Sequence, residues 1–316
     1  MKVTIFSHES DLDGIISASI GMMRYPQAKI VFMDYTRESF MKMIKVIDFS
    51  NNSSENNLYI ISDLGLNDNL INSLRDIFDR VRTRENKIIW VDHHPWSANA
   101  INELKEIIEL VLNSSGNRCA AELMYERFLQ GNENAEKLAS IAHTMDFFTK
   151  DQYLTPISEL IKYYLSFNDS DTRLGELSTK ISKGILWDLD MDKDYKKYMP
   201  LYEKEKGYAL TKLIRKDVMD LDVVFVKSSP YLQTSLFAQE IFDITRADLA
   251  IFYDKSGKIS IRRSNEKIAC NEIAENLIDG GGHKFAAGGN IKSGLSNTED
   301  LISEVEKSII KTLVKQ

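Results

Sequence analysis

Five histidines are spread through 316 residues, and two of them stand side by side behind an aspartate, in Asp92-His93-His94. Adjacent histidines direct their rings apart, so one can ligate a metal while the other approaches a substrate. Near the N-terminus, His8, Asp11, Asp13 and Gly14 follow a β-rich run. Two carboxylates flanking one residue before a turn glycine can be aimed at neighbouring hard cations; on its own the pattern is better explained by an aspartate N-cap and a turn glycine. Asp63, in Ile-Ile-Ser-Asp-Leu-Gly, sits where a carboxylate could bridge two metals. Asp146, in His-Thr-Met-Asp-Phe-Phe, lies in an apolar helical stretch where an unpaired carboxylate is costly, which calls for a partner such as a cation. His143 reads as structural and Asp34 as a strand-end cap. The donors are imidazole and carboxylate without thiolate, a set suited to Mn²⁺ first and to Mg²⁺ or Co²⁺ after it. Several carboxylates able to bridge favour two divalent ions over one zinc. Such a pair polarises a water and clamps an in-line displacement at phosphorus, so phosphoester hydrolysis is the expected chemistry.

A second cluster lies towards the C-terminus. Gly280, Gly281 and Gly282 before His283 permit close backbone approach and offer amide donors to an anion, whereas a helix C-cap needs only the first of them. Arg262 and Arg263 end an alternating run, Lys-Ile-Ser-Ile-Arg-Arg. One arginine there can grip a phosphate bidentately, and its neighbour must then point to the opposite face. A solvated pair is the alternative.

These residues need elements to hold them. Four β-rich runs, Val3–Ser7, Lys29–Asp34, Leu58–Asp63 and Lys87–Asp92, alternate with stretches long enough for crossover helices, the pattern of a parallel sheet buried on both faces. Three of the four end in aspartate, and ligands of open α/β sheets bind beyond the carboxyl ends of the strands. From Ala120 to Trp187 the periodicity is helical. The charged stretch Asp188–Asp220, interrupted by Pro200 and Gly207, reads as a solvated helix pair linking two domains. Beyond it, Asp222–Val226, Leu249–Tyr253 and Lys258–Arg262 read as strands, Asn271–Ile278 as a short helix stopped by the glycines, and Thr298–Val314 as an amphipathic helix. The fold class is therefore α/β, with a parallel-sheet N-terminal domain (1–187), a helical linker (188–220) and a smaller α/β C-terminal domain (221–316).

Hydrophobic residues make up 43% and charged residues 28%, values that exclude wholesale disorder. The net charge of −7 argues against a protein that coats nucleic acid by bulk charge, so a polyanionic ligand needs a local basic site. Between Lys255 and Lys292 seven basic residues outnumber four acidic ones. Two distant cysteines, Cys119 and Cys270, cannot build a disulfide framework and point to a reducing, cytoplasmic setting. Neither a signal-peptide core nor a membrane-spanning run is visible.

The order H-x-x-D-x-D-G, strand-end Asp, D-H-H and a later Asp resembles the DHH phosphoesterase superfamily, and Gly280–Gly289 (GGGHKFAAGG) is similar to the signature of the DHH-associated C-terminal domain. His8 precedes Asp11 by three residues, where many relatives have two or four. The resemblance implies one metal on His8, Asp11 and Asp63 and another on Asp13, Asp63, His93 and Asp146. It further implies His94 on the scissile phosphate, Asp92 orienting the histidines, and Arg262, Gly281, Gly282 and His283 binding substrate. The C-terminal signature is that of the RecJ-like exonuclease, oligoribonuclease and cyclic-dinucleotide phosphodiesterase branch. Short single-stranded RNA or DNA attacked from an end is the expected substrate, with cyclic or linear dinucleotides or 3′-phosphoadenosine phosphate as alternatives. No membrane partner is implied, and a homodimer is compatible with the sequence. An inert scaffold of this type would have lost ligands that this chain retains.

Overall fold

The computed structural model describes residues 1–51, 56–66, 68–113, 116–147, 154–291 and 298–314. Of the Asn/Ser-rich segment 50–57, residues 52–55 lie outside the described residues. The chain divides into two compact units, Met1–Asp194 and Tyr195–Gln316.

In the first unit the order is β1 (Lys2–His8), α1 (Leu12–Arg24), β2 (Lys29–Met33), α2 (Arg37–Asn51), β3 (Asn57–Ser62), α3 (Ile71–Arg82), β4 (Lys87–Asp92), α4 (Ala98–Leu104) and β5 (Glu109–Leu112), followed by α5 (Ala120–Phe128), α6 (Glu133–Asp146), α7 (Thr155–Leu165) and α8 (Ser170–Ser182). The strands form one parallel sheet in the order β2-β1-β3-β4-β5. Both faces are covered. One buries Phe6, Tyr59, Ile61 and Trp90 with apolar side chains of α2, α3 and α4, and on the other α1 packs against α5, α6 and α8. Burial on both sides is why the strands read as continuous apolar runs. The strand order reverses between β1 and β3, so their carboxyl ends flank a crevice. His8 closes β1, and Asp63 follows β3.

The parallel-sheet expectation thus holds, with one strand more than the sequence disclosed. Glu109–Leu112 is four residues long and only half-buried, and it follows a run of helix-forming residues, so no strand period could emerge from it.

A 23-residue helix, α9 (Leu189–Thr211), runs from the first unit into the second. The expected helix pair is instead this one helix followed by a strand, β6 (Ile214–Val218). Pro200 lies inside α9 without ending it. Burial of Tyr198 before the proline and of Tyr202 after it, with the Tyr198 hydroxyl donating to the Tyr231 carbonyl at 2.8 Å, anchors the helix on both sides of Pro200. The rest of the second unit comprises β7 (Leu221–Lys227), α10 (Thr234–Thr245), β8 (Leu249–Tyr253), β9 (Lys258–Arg263), α11 (Cys270–Ala274), β10 (Ile278–Gly282), β11 (Ala286–Asn290) and α12 (Thr298–Leu313). Its sheet is mixed, in the order β10-β11-β9-β8-β7-β6, with only β7 and β8 parallel. Ile259 and Ile261 of β9 face the core shared with α11 and α12.

The helix expected over Asn271–Ile278 ends at Ala274, and the glycines belong to β10. Gly281 pairs with Gly288 and Gly282 with Ala287 in an antiparallel hairpin. Strand pairing prevails because the strand must pass directly over α11: a Cβ on Gly280 would lie 1.7 Å from the Ala274 carbonyl oxygen.

Candidate metal centre

The side chains at the strand ends of the first unit converge as a direct result of that topology. His8 is buried at the end of β1, and its Nδ1 lies 3.2 Å from the Met33 carbonyl oxygen. A carbonyl only accepts, so Nδ1 carries the proton and Nε2 keeps its lone pair. That nitrogen is 3.4 Å from Asp11 Oδ2. Asp11 caps α1 by accepting the Gly14 amide at 3.0 Å, so the capping and the ligand reading of this aspartate coexist on its two oxygens.

Asp13 is buried in the first turn of α1, where both of its oxygens accept amides from the N-terminus of α5, Ala120 and Ala121, each at 2.8 Å. Two amides and a helix N-terminus hold the carboxylate in one orientation. Its Oδ2 lies 3.7 Å from His93 Nε2. Asp63 Oδ1 lies 3.4 Å from the same nitrogen, and Asp146 Oδ2 is 3.8 Å from His93 Nδ1. Asp13, His93 and Asp146 present ligand atoms within 4.8 Å of one another, as do Asp63, Asp92 and His94. Six of the residues singled out from the sequence in this unit therefore surround one crevice, with Asp92 and His94 beside them.

Asp63 departs from ordinary geometry. Its φ is +57°, a left-handed conformation that costs energy, and its Oδ2 is buried with no hydrogen-bond partner among the described residues. Burial, reinforced by the charges of Asp13 and Asp11, holds its pKa well above the usual carboxylate range. Burial likewise raises Asp13, and burial together with the Asp13 charge brings Asp146 up to about 7. Burial would lower His93, but the bond to Asp63 and the charges of Asp13, Asp63 and Asp146 lift it to about 11. An excess of buried carboxylate around one imidazole, with an oxygen left over, fits a multivalent cation.

Beside this cluster, His94 Nδ1 donates to Asp92 Oδ1 at 2.8 Å, and Asp92 Oδ2 accepts the Trp96 indole N–H at 2.7 Å. Burial opposes the charge on Asp92, yet His94, His93 and Trp96 overcome it and keep the carboxylate below its ordinary pKa. Gly65 leaves room for the His94 ring, since a Cβ there would meet His94 Cβ at 3.0 Å. Asp92→Asn should reverse the donor at Nδ1, keep the fold, and slow turnover roughly ten- to a hundredfold, the loss usual for a second-layer partner; steady-state kinetics with unchanged melting is the check.

Of the residues read as structural, His143 pairs through Nδ1 with Glu122 at 2.7 Å, and Asp34 accepts the amide and hydroxyl of Thr36. In the second unit, Arg262 donates to the Ile261 carbonyl at 3.0 Å and to Ser235 Oγ at 3.2 Å, while its buried Nε has no partner among the described residues. Burial lowers this guanidinium to about 10. Arg263, on the opposite face as alternation requires, donates to the carbonyls of Glu266 and Ile268. The His283 ring stacks on Phe285 at 5.2 Å, and its amide donates to the Ala286 carbonyl at 2.8 Å.

The family model described as DHH family, N-terminal domain matches residues 2–147, and the DHHA1 domain matches residues 234–311. The chain belongs to the DHH family. Its members are metal-dependent phosphoesterases. No curated protein matches the sequence. Among solved structures, an exopolyphosphatase-related protein from Bacteroides fragilis shares 15% identity at a TM-score of 0.56, over 100% of this chain and 94% of the other. The pGpG-specific phosphodiesterase PggH of Vibrio cholerae shares 14% at 0.54, over 100% and 99%. At these identities the likeness is one of fold. No helix among the described residues is long and apolar enough to cross a membrane.

The raised groups of this DHH centre make its stability depend on pH. His93, at about 11 folded against 6.5 unfolded, contributes stability below pH 6.5 that is lost as pH rises towards 11. Asp146, raised from 3.8 to about 7, carries the same sign between those values. The metal-free protein should therefore melt lower at about pH 8.5 than at about pH 7, and the ligands are readier for a cation at the higher pH. Mn²⁺ at about a hundredfold over its Kd should add about 2.7 kcal/mol, roughly 5 to 11 °C in melting temperature for a unit of this size. A shift in thermal melts that shrinks as pH rises would contradict the assignment.

Sequence reasoning overlooked Trp96, Gly65, the α5 amides and Tyr35, whose hydroxyl lies 3.2 Å from His94 Nε2. Trp96 was within sight in Val-Asp-His-His-Pro-Trp, where an indole two residues past the histidines can reach back to the aspartate.

Proposed function

We propose that this DHH protein is a divalent-metal-dependent phosphodiesterase that hydrolyses short single-stranded nucleic acid from an end. The observation that carries this reading is the buried Asp63 oxygen, without a partner among the described residues, beside His93, Asp13 and Asp146, with the His8–Asp11 pair nearby. His8, Asp11 and Asp63 would hold one ion, and Asp13, Asp63, His93 and Asp146 the other, with Mn²⁺ the expected metal. When bound, such ions supply a nucleophile at neutral pH and neutralise charge on the phosphoryl oxygens.

The chain's own residues supply the rest. The α5 amides fix Asp13, and the Met33 carbonyl fixes the His8 tautomer. Asp92 accepts the Nδ1 proton of His94 and so fixes the ring with Nε2 on its outer side, from which an Nε2–H, when the ring is protonated, would donate to a phosphoryl oxygen. In the DHHA1 unit, Arg262 has a buried Nε that lacks a partner among the described residues, and a guanidinium held this way suits a phosphate. Gly281, Gly282 and His283 would line that substrate grip. Cys119 and Cys270 are free and buried, in keeping with a reducing cytoplasm.

A second reading, hydrolysis of cyclic or linear dinucleotides, is supported by the full-length fold likeness to PggH. Labelled RNA and DNA of about 2 to 24 nucleotides, cyclic dinucleotides and 3′-phosphoadenosine phosphate, each assayed with Mn²⁺, separate the readings. Progressive shortening of the oligonucleotides is expected; cleavage confined to dinucleotides would select the second reading, and no shortened product from any of them would sink both.

A further inference from the structure

Tyr35 follows the capping Asp34 in the loop after β2, 44% exposed, at the mouth of the crevice. Its ring lies against that of His8, centroids 4.2 Å apart and planes 33° apart, and its edge meets His94 at 5.4 Å. The hydroxyl is 3.2 Å from His94 Nε2. It thereby ends a chain that starts in the core: Trp96 donates to Asp92, Asp92 accepts from His94, and His94 meets Tyr35.

We propose that Tyr35 is a further catalytic residue, whose hydroxyl donates a hydrogen bond to a phosphoryl oxygen of the substrate beside His94. This deepens the phosphodiesterase reading and rests on it for the reaction. His94 does not need Tyr35 for its orientation, because Asp92 and the close packing of Gly65 already set the ring. The contact therefore serves the phenol. A phenol has one proton and two lone pairs. The hydroxyl rotor beside His94 Nε2 can therefore present its proton to an anion that enters next to it. The Tyr35 residue is 44% exposed and the His94 side chain 16%. The loop that carries it is fixed by the Asp34 turn, where Thr36 donates its amide at 3.0 Å and Ser39 Oγ takes the Asp34 amide at 3.3 Å.

Tyr35→Phe retains the ring against His8 and removes only the hydroxyl. With Mn²⁺ and a short oligonucleotide, kcat should fall about ten- to a hundredfold, the scale of one donor lost from a developing oxyanion, while melting temperature and its Mn²⁺ shift stay at wild-type values. In the His94→Asn background the same change should cost less than about threefold, because the two groups act together. Wild-type turnover in Tyr35→Phe, a lower KM at unchanged kcat, or full additivity with His94→Asn would each overturn the proposal. Should the wild type cleave no phosphodiester, the function reading fails, and inorganic phosphate with Mg²⁺ still tests Tyr35. The ring carbon resonance bearing the hydroxyl, assigned by its loss in Tyr35→Phe, must then shift saturably with phosphate, and the variant must bind phosphate about fivefold more weakly. An unmoved resonance or equal affinity would refute the contact.

Discussion

Asp63→Asn should eliminate the divalent-metal response of this protein and lower phosphodiester turnover by about a thousandfold or more, since several kcal/mol of charge stabilisation are withdrawn at tenfold per 1.4 kcal/mol. The substitution is nearly isosteric, and asparagine accepts the φ of +57° at this position as readily as aspartate. The backbone should therefore stay in place. What changes is the charge. Asp63 is buried with one oxygen unpartnered, and burial beside Asp13 and Asp11 makes its ionised form unfavourable unless a cation is present. Neutralising it removes that burden, so metal-free Asp63→Asn should melt at or above the metal-free wild type, and addition of Mn²⁺ should leave its melting temperature unmoved. A ligand serving only to pack the strand end would give the opposite pattern, a lower melting temperature with an intact Mn²⁺ shift, and that outcome would exclude the bridging role. The combined behaviour, stability gained where function is lost, is what a strained and electrostatically overloaded centre predicts.

The contrast between Asp63 and Tyr35 explains how much of this molecule was legible beforehand. Strands β1 to β4 are buried on both faces and end in His8, Met33 before Asp34, Ser62 before Asp63, and Asp92, so continuous apolar runs with polar ends named both the sheet and the candidate ligands. Where burial was partial the pattern weakened. The half-buried β5 carried no alternation, and the tail of the helix expected after Cys270 gave way to β10, whose pairing with β11 is a non-local property. Tyr35 lies 59 residues from His94 and became visible only when β2 and β4 were placed in one sheet. The amides of Ala120 and Ala121 bear no side-chain signal at all, yet they aim Asp13 from more than a hundred residues away. Chemistry written in side chains at strand ends can be read locally; the backbone donors and remote hydroxyls that orient it require the fold.

Gly14→Ala should be the most damaging single methyl in the first unit, because α1 and β1 touch there backbone to backbone. A Cβ at Gly14 would stand 2.2 Å from the His8 carbonyl oxygen, 2.7 Å from its carbon and 2.8 Å from His8 Cβ. No flexible side-chain tip can swing aside, so helix and strand must separate. They are also stitched together at this point: Asp11 accepts the Gly14 amide at 3.0 Å and Ser7 Oγ donates to the Gly14 carbonyl at 2.7 Å. The helix is buried from Leu12 to Gly21, and moving it disturbs its packing on α5, α6 and α8 as well as the aim of Asp11 and Asp13. Overpacking of this kind costs about 3 kcal/mol or more, a fall of roughly 6 to 12 °C in melting temperature for a unit of this size. The Mn²⁺ shift should shrink in parallel, because two proposed ligands ride on the displaced turn. Gly175→Ala in α8 supplies the control. A Cβ there meets nothing within 4 Å, and alanine in a helix interior gains about 0.5 to 1 kcal/mol over glycine, so that variant should melt higher with its Mn²⁺ shift intact. Equal melting temperatures for the two variants would mean that the crevice does not depend on the contact between Gly14 and His8, and the account of how Asp11 and Asp13 are aimed would fail with it.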